Sequence, residues 1–214
     1  MISDVEKFVR FCESELGKSV LEKEARYIYQ ELKGCKKILD VGCGIGSFEQ
    51  ELQDLNIVGL DNSEEMLEEA KKRTRKSNKV FVLGNAENLD FNNSSFNAVF
   101  YVTTLEFVND YHKAIQEAYR VTKANGKLLT IMLNPESEYF HEHVQRESSY
   151  FRKIRHTNLE EIRNYILRFY DITKEEYFLG IRKQKRYQIF DTSDKRYASL
   201  YVVVGKKLHL PKDL

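Results

Sequence analysis

The stretch Ile38-Leu39-Asp40-Val41-Gly42-Cys43-Gly44-Ile45-Gly46 (38–46) carries the strongest structural signal in this 214-residue chain. Its apolar start is typical of a buried strand, glycine then follows at every second position, and the next residues are compatible with a helix. Such a turn brings backbone amides to a ligand at the helix N-terminus. Asp61 ends the next apolar run, where a carboxylate can accept hydrogen bonds from ribose hydroxyls. This arrangement predicts a nucleoside-binding site.

The spacing of the glycines indicates the class of nucleoside. A dinucleotide fingerprint has the pattern G-x-G-x-x-G, in which the third glycine follows the second by three residues. Here that position is Ser47, because the glycines stand at 42, 44 and 46. The spacing therefore disfavours NAD and FAD.

Composition narrows the range of partners. The chain has 34 basic and 33 acidic residues and a net charge of +1, so no overall field attracts a polyanion and we expect no DNA partner. No apolar run approaches the ~20 residues that span a bilayer, and the N-terminus lacks a signal-peptide profile, so we expect no membrane insertion. The few scattered cysteines suit a reducing compartment, and we predict a cytoplasmic protein. They are Cys12, Cys35 and Cys43.

The order of apolar segments predicts the fold class. Strand-like and helix-like segments alternate from Lys37 to Leu133, which predicts a doubly wound α/β sheet of parallel strands. Thr157 to Glu160 then cap a further helix. Two late strand-like segments, 172–179 and 198–204, have no helix between them and predict an antiparallel end to the sheet. The basic segment 181–196 is predicted to be the hairpin connection between them.

Five motifs occur in an order that resembles one protein family. They are ILDVGCGIG at 38–46, GLDNSEEMLEEAKKR at 59–73, GNAENLDF at 84–91, SFNAVFYVTTLEFVND at 95–110 and AYRVTKANGKLLTI at 118–131. The series resembles the class I S-adenosylmethionine-dependent methyltransferases, in particular the ubiquinone/menaquinone-type small-molecule subgroup. Two positions depart from that pattern. Asn85 replaces the usual aspartate, and Lys123-Ala124-Asn125-Gly126 replaces Lys-Pro-Gly-Gly.

The resemblance implies a fold and a cofactor. The fold is a single Rossmann-like, doubly wound sheet of seven strands, mostly parallel with an antiparallel C-terminal strand and with helices on both faces. The cofactor is S-adenosyl-L-methionine, and the product is S-adenosyl-L-homocysteine. The residues implied to bind it are Asp40, Gly42, Cys43, Gly44, Gly46, Asp61, Asn62, Met66, Asn85, Ala86, Glu87, Thr103 and Thr104.

We expect one methyltransferase domain over 1–214, divided by role. Helices in 1–34 form a lid, 37–133 bind the cofactor, 134–156 form an acceptor-side insertion, and 157–214 supply a helix and strands. The insertion mixes aromatic and imidazole side chains that can line an acceptor pocket. No catalytic residue is required by an in-line displacement, but a base can assist an amine or thiol acceptor. The candidates are Tyr139, His141 and His143.

Several alternatives remain at this point. His141 and His143 lack a third ligand, so no metal site is assigned, and Cys43 is interpreted as filling a tight loop. The acceptor is predicted to be a small molecule. An RNA or protein acceptor, held by the basic segment 182–197, stays open, as does a module that binds the cofactor without turnover. Thr103 to Glu106 lack the Asn/Asp-Pro-Pro-Tyr signature of many amino-methylating enzymes, and the oligomeric state is not predicted.

Overall fold

The computed structural model describes residues 3–75, 79–147 and 149–210. Parts of the predicted segments 1–34, 37–133, 134–156 and 157–214 lie outside the described residues, namely 1–2, 76–78, 148 and 211–214. In chain order the elements are α1 Asp4–Glu13, α2 Glu15–Leu32, β1 Ile38–Val41, α3 Ser47–Glu51, β2 Ile57–Asp61, α4 Glu64–Arg73, β3 Val80–Leu83, β4 Phe96–Val102, α5 Tyr111–Val121, β5 Thr122–Leu133, α6 Glu138–Val144, a 3₁₀ helix Tyr150–Lys153, α7 Leu159–Ile166, β6 Tyr170–Lys183, β7 Tyr187–Phe190 and β8 Ala198–Lys207.

Within the described residues, eight strands form one sheet in the order β3-β2-β1-β4-β5-β8-β6-β7. Strands β1 to β5 are parallel, β8 runs antiparallel to both β5 and β6, and β7 runs antiparallel to β6. The doubly wound α/β fold with an antiparallel end is thus confirmed. The predicted number of seven strands is wrong by one, because β7 lies within the segment predicted to be only a connection.

Helices cover both faces of the sheet, as predicted. On one face, α5 and α7 pack against residues such as Val99 and Tyr101 of β4. On the other, α2, α3 and α6 pack against the alternate residues of the same strand, Ala98 and Phe100. A strand buried on both faces is the expected surrounding of a central parallel strand. The carboxyl end of β4, next to the glycine loop, is thus held in place by packing on both faces of the sheet.

The two N-terminal helices play different parts. Ser3 and Glu6 form a capping box that begins α1, and Ser14 ends α1 and caps α2. Helix α2 contributes a buried stripe that includes Ile28 and Leu32, so it belongs to the core. Helix α1 buries only Cys12 among its described residues and lies over the glycine loop. No helix in the described ranges has the length and apolarity needed to cross a bilayer.

Candidate functional site

The glycine loop after β1 adopts a backbone that glycine favours. Gly42, Gly44 and Gly46 have φ angles of 81°, 53° and 72°, all in the left-handed region. The amides of Gly42 and Cys43 both donate to the carbonyl of Leu60 in β2, at 2.7 and 3.0 Å. These bonds fix the loop against the carboxyl end of the neighbouring strand, which is where ligands bind in open α/β sheets.

Two of these glycines also allow close approaches. A Cβ added at Gly42 would lie 2.4 Å from Oγ1 of Thr104, so the loop contacts the segment after β4. A Cβ added at Gly44 would lie 3.3 Å from a ring carbon of Phe8 in α1. The end of β4 and the first helix therefore converge on the loop.

Gly46 and Cys43 face the protein interior. A Cβ added at Gly46 would lie 3.0 Å from both Ala70 and Phe81, so this glycine leaves room for packing of α4 and β3. The Cys43 side chain is buried, and burial raises the pKa of its thiol well above the usual value. The structure thus places a packing role on both residues.

Asp61, at the end of β2, joins two backbone segments. Its Oδ2 accepts from the Gly44 amide at 2.8 Å, and its Oδ1 accepts from the Ser63 amide at 2.9 Å. Burial raises the pKa of this carboxyl, while the backbone donors oppose that rise. Each carboxylate oxygen keeps a second lone pair, so Asp61 can still accept from a ribose diol.

Thr103 follows β4 in an unusual conformation. Its φ is 45°, in the left-handed region, and its amide donates to the Ile131 carbonyl of β5 at 2.7 Å. A β-branched residue rarely has a positive φ, and such strain is concentrated at functional sites. The strained backbone of Thr103 agrees with a place for this residue in a functional site.

The loop after β3 places its predicted residues in contact with the protein itself. Asn85 is exposed, and its Oδ1 accepts from the Glu87 amide at 2.9 Å. The Glu87 carboxylate accepts from the amides of Asn109 and Asp110 at 2.7 and 3.1 Å, which fixes the start of α5. Ala86 is buried. The side-chain oxygen of Asn85, a residue that the resemblance implies in cofactor binding, thus already accepts a hydrogen bond from a backbone amide.

The two remaining residues implied to bind the cofactor lie just before α4 and in its first turn, at the outer edge of the site. Asn62 is exposed and Met66 is half-buried. The Met66 amide donates to Ser63 Oγ at 3.3 Å, which caps the helix. Both residues thus flank the outer side of Asp61 rather than the buried loop.

Two carboxyl groups lie buried beneath the glycine loop. Asp40 in β1 is 1% exposed, and Glu49 in α3 is fully buried. Among the described residues no group donates a normal hydrogen bond to Asp40 Oδ2 or to either Glu49 carboxyl oxygen. Burial raises the pKa of Glu49 to about 7, and burial together with the neighbouring Glu49 raises the pKa of Asp40 well above its usual value.

Glu106 is a third buried carboxyl at this edge. Its Oε1 accepts from the Leu133 amide at 2.6 Å, and its carbonyl accepts from the amides of Arg155 and His156 at 2.8 and 3.2 Å. Burial raises the pKa of its side chain to about 7. Glu106 thus joins the ends of β4 and β5 to the segment before α7.

Aromatic side chains lie beside the loop on two sides. Phe8 approaches Gly44 from α1, and Tyr150 in the 3₁₀ helix is close enough to Asp61 to experience its charge. Tyr150 also packs against Phe107 with tilted rings, whose centroids are 4.9 Å apart. An ion pair between Lys153 and Asp4 connects the 3₁₀ helix to α1. Both segments thus lie beside the loop, although Tyr150 itself remains exposed.

The three candidate bases separate in the structure. Tyr139 is buried and His143 is half-buried, and both pack in an aromatic cluster with Phe151 and Tyr187. His143 Nδ1 lies 2.8 Å from the Tyr139 carbonyl, and burial lowers the pKa of His143. His141 is exposed and lies outside this cluster. In the described ranges no group of three or more acidic, imidazole or thiol side chains has the arrangement of a metal site.

Sequence reasoning missed Glu49 and Glu106, whereas Tyr150 is one of the aromatic residues of the predicted acceptor-side insertion. A signal for Glu49 was present in Gly59, because glycine inside a buried strand often marks a close approach. A Cβ added there would lie 2.7 Å from Glu49 Oε1 and 2.8 Å from Cys43 Sγ. The missing side chain thus makes room for the buried carboxyl. No local pattern distinguishes Glu106.

Comparison with known proteins shows what this loop and sheet are similar to. A family model described as a methyltransferase domain matches residues 39–130, which include the glycine loop, Asp61 and Thr103. The match covers less than half of the chain, and over these residues the chain is similar to that family. The resemblance that the motifs indicated is thus confirmed.

The chain is also similar to longer proteins over part of their length. An uncharacterized protein from Methanocaldococcus jannaschii is 36% identical over 100 residues, which cover 47% of this chain and 42% of that protein. A demethylmenaquinone methyltransferase from Thermotoga maritima is 35% identical over 104 residues, which cover 47% and 44%. The matches therefore span less than half of each relative.

The similarity of the fold extends over the whole chain. A solved Thermotoga maritima structure, described as a SAM-dependent methyltransferase and possible histamine N-methyltransferase, matches with a TM-score of 0.74 at 22% identity. The alignment covers 96% of both chains. At this identity the likeness shows that the two proteins share a fold.

Proposed function

We propose that this protein transfers a methyl group from S-adenosylmethionine to a small-molecule acceptor by in-line displacement. The observation that carries the proposal is the left-handed glycine loop fixed to Asp61 at the carboxyl edge of the parallel strands. The family match over the same residues supports it. The activity is proposed for the chain as a whole, since its matches with the curated relatives are partial.

The residues at this edge fit the proposed cofactor. The start of α3 and the loop from Gly42 to Gly46 offer backbone amides to a carboxylate. Asp61 has free lone pairs for ribose hydroxyls, and Met66 with Ala86 supplies apolar surface for adenine. The buried Asp40 oxygen without a donor suits an ammonium group nearby. These are the groups that would hold the cofactor.

When bound, S-adenosylmethionine supplies a methyl group on a positively charged sulfur, which an acceptor attacks. The protein's own contribution is alignment and exclusion of water. Phe8 lies against Gly44 on the outer side of the loop, and Thr104 lies against Gly42, where it would border the reacting groups. His143 is held with Nδ1 at a carbonyl and a lowered pKa, so its neutral ring can accept a proton from an amine or thiol.

A small acceptor is favoured over RNA by the charges of the segment 182–197. Four of its cations already contact carboxylates. The pairs are Arg182 with Glu138, Lys183 with Glu142, Lys195 with Glu136, and Arg196 with Asp194, at 3.7, 3.3, 2.6 and 3.0 Å. Neutralised cations attract phosphate weakly. One relative is also named for a small quinone substrate.

Two measurements, made one after the other, test the proposal. Calorimetric titration with S-adenosylmethionine should show one-site binding, and NAD should not bind. Methyl-labelled S-adenosylmethionine is then incubated with the protein and with separated metabolite, RNA and protein fractions. Label should move to the metabolite fraction. Label in RNA or protein would overturn the acceptor class, and tight binding without transfer to any fraction would favour a binding module.

A further inference from the structure

The paired carboxyls beneath the glycine loop have no role in the fold that explains their burial. An ionised carboxylate that loses water without gaining a hydrogen bond or a cation is strongly destabilised. Asp40 and Glu49 together leave three oxygens without a donor among the described residues. Two negative charges at such a place cannot both persist, because each also repels the other.

The position of the two carboxyls allows one of them to be stabilised by the other. Gly59 in β2 is the register partner of Asp40 in β1, and a Cβ added at Gly59 would lie 2.7 Å from Glu49 Oε1. Register partners on parallel strands share a face of the sheet, so the two carboxyls lie side by side, where one proton can join them in a hydrogen bond. A single proton would turn one acceptor into a donor and remove one of the two charges. Pairs of carboxyls that share a proton in this way titrate as a unit.

The other titratable groups around the pair do not replace that proton. Cys43 faces the pair from the loop, and Asp61 adds negative charge from the end of β2. The only cation that acts on Glu49 among the described residues is Lys79. Its Nζ donates to the carbonyls of Leu52, Gln53 and Leu55 instead, at 3.0, 3.3 and 2.7 Å.

We propose that Asp40 and Glu49 hold one shared proton in the ligand-free protein and release it to solvent when a cationic ligand occupies the glycine loop, so that Glu49 is a positioning residue for the cofactor. This inference rests on the proposed function, because S-adenosylmethionine carries an ammonium group and a sulfonium. The incoming positive charges stabilise the second carboxylate. The departing proton keeps the change in net charge small.

The inference sets the direction of the pH dependence. Because the ligand favours the deprotonated pair, affinity rises as pH rises through the apparent pKa of the pair. Release of one proton corresponds to about tenfold in affinity per pH unit. Affinity falls again above about pH 8, where the ligand's own α-amino group loses its proton.

The test is calorimetry of S-adenosylmethionine binding between pH 5.5 and 9, in two buffers of different ionisation enthalpy. The unmodified protein should release close to one proton per ligand near pH 6. Glu49→Gln should release nearly none and should lose the rising limb, while keeping the fall above pH 8. Glu51→Gln, an exposed position in the same helix, should behave as the unmodified protein.

A second ligand distinguishes the effect of the ligand's positive charges from a general effect of pH on the protein. Methylthioadenosine lacks both positive charges, so its affinity should show no rising limb. Binding of S-adenosylmethionine without proton release in the unmodified protein would overturn the inference and leave the proposed function intact. Absence of binding at every pH would overturn the proposed function and the inference with it. The unmodified protein alone decides this, whether or not Glu49→Gln folds.

Discussion

Acidic side chains are used differently in the two halves of the sheet. At the ends of β1, β2 and β4 they are buried or half-buried, and none forms an ion pair with a described lysine or arginine. They are Asp40, Glu49, Asp61 and Glu106. Around β6 to β8 the acids are more exposed and paired with cations, at 2.9, 2.8 and 2.6 Å. These pairs are Arg163 with Glu175, Lys174 with Glu176, and Lys195 with Glu136.

The net charge of +1 thus does not reveal that the two halves of the sheet carry their acidic groups in different environments. Exposed ion pairs contribute little, typically ~0–1 kcal/mol each, and mainly keep the antiparallel part soluble and in register. Buried carboxyls without cations destabilise the free protein and favour a positively charged ligand. We therefore expect substitutions in the parallel half to change ligand binding, and those in the antiparallel half to leave it unchanged.

The largest expected effect is at Gly42. An alanine there adds a Cβ 2.4 Å from Thr104 Oγ1 at a φ of 81°. Displacement of Thr104 together with backbone strain should weaken S-adenosylmethionine binding by at least about 3 kcal/mol, or more than ~100-fold. Titration calorimetry measures the loss. Gly34→Ala is the matched control, because its φ is 90° with open space around it. Equal binding by Gly42→Ala and the unmodified protein would contradict the site.

Asp61 should come next. Asp61→Ala removes the acceptor of the Gly44 amide and the proposed ribose contact, and binding should weaken by about 2–3 kcal/mol. Asp90→Ala, at an exposed position, should bind as before. If Asp61→Ala kept full affinity in the same titration, Asp61 would have no place in the site.

These two positions were predictable because their signals are local. Glycines at 42, 44 and 46 and an acid at a strand end can be read from adjacent residues. Glu49 could not be assigned in this way, since its burial depends on the missing side chain of Gly59 in another strand. The helix expected after the glycines is also short and ends at Glu51.

The antiparallel end was less predictable for a related reason. Strand β7 is a four-residue edge strand paired with β6 through a tight connection, and its basic neighbours hide the alternation of side chains. The presence of five parallel strands followed from the alternation of strand-like and helix-like runs, which β7 lacks. Tyr139 and His143 lie together, and His141 apart from them, because residues four apart share one face of α6 and a residue two positions on does not. No helix was predicted over this segment.

A buried acid outside the candidate site extends the contrast to stability. Glu24 lies on the buried stripe of α2, and burial raises its pKa to about 8. The unfolded value is lower, so stability is highest below about pH 4.5 and is lost as pH rises through 8. The free energy of unfolding should therefore fall between pH 5 and 9. Glu24→Gln should reduce that fall in urea titrations, whereas Glu22→Gln, at an exposed position, should not. An identical decline in both variants would exclude Glu24 as its source.

The smallest effect is expected in the antiparallel half. Lys195 and Glu136 form an exposed pair, so Lys195→Ala should change the free energy of unfolding by less than about 0.5 kcal/mol. Affinity for S-adenosylmethionine should stay within the error of the titration. A marked loss of binding would mean that the two halves are not separate in function.

The most direct test of the account is a crystal structure of the protein grown with S-adenosylmethionine. We expect density over the glycine loop, with the ribose hydroxyls at the Asp61 carboxylate and the methionyl group beside residues 42–46. Density for the ligand elsewhere, or none over a loop that is otherwise well ordered, would contradict the claim that this acidic edge binds a cationic nucleoside.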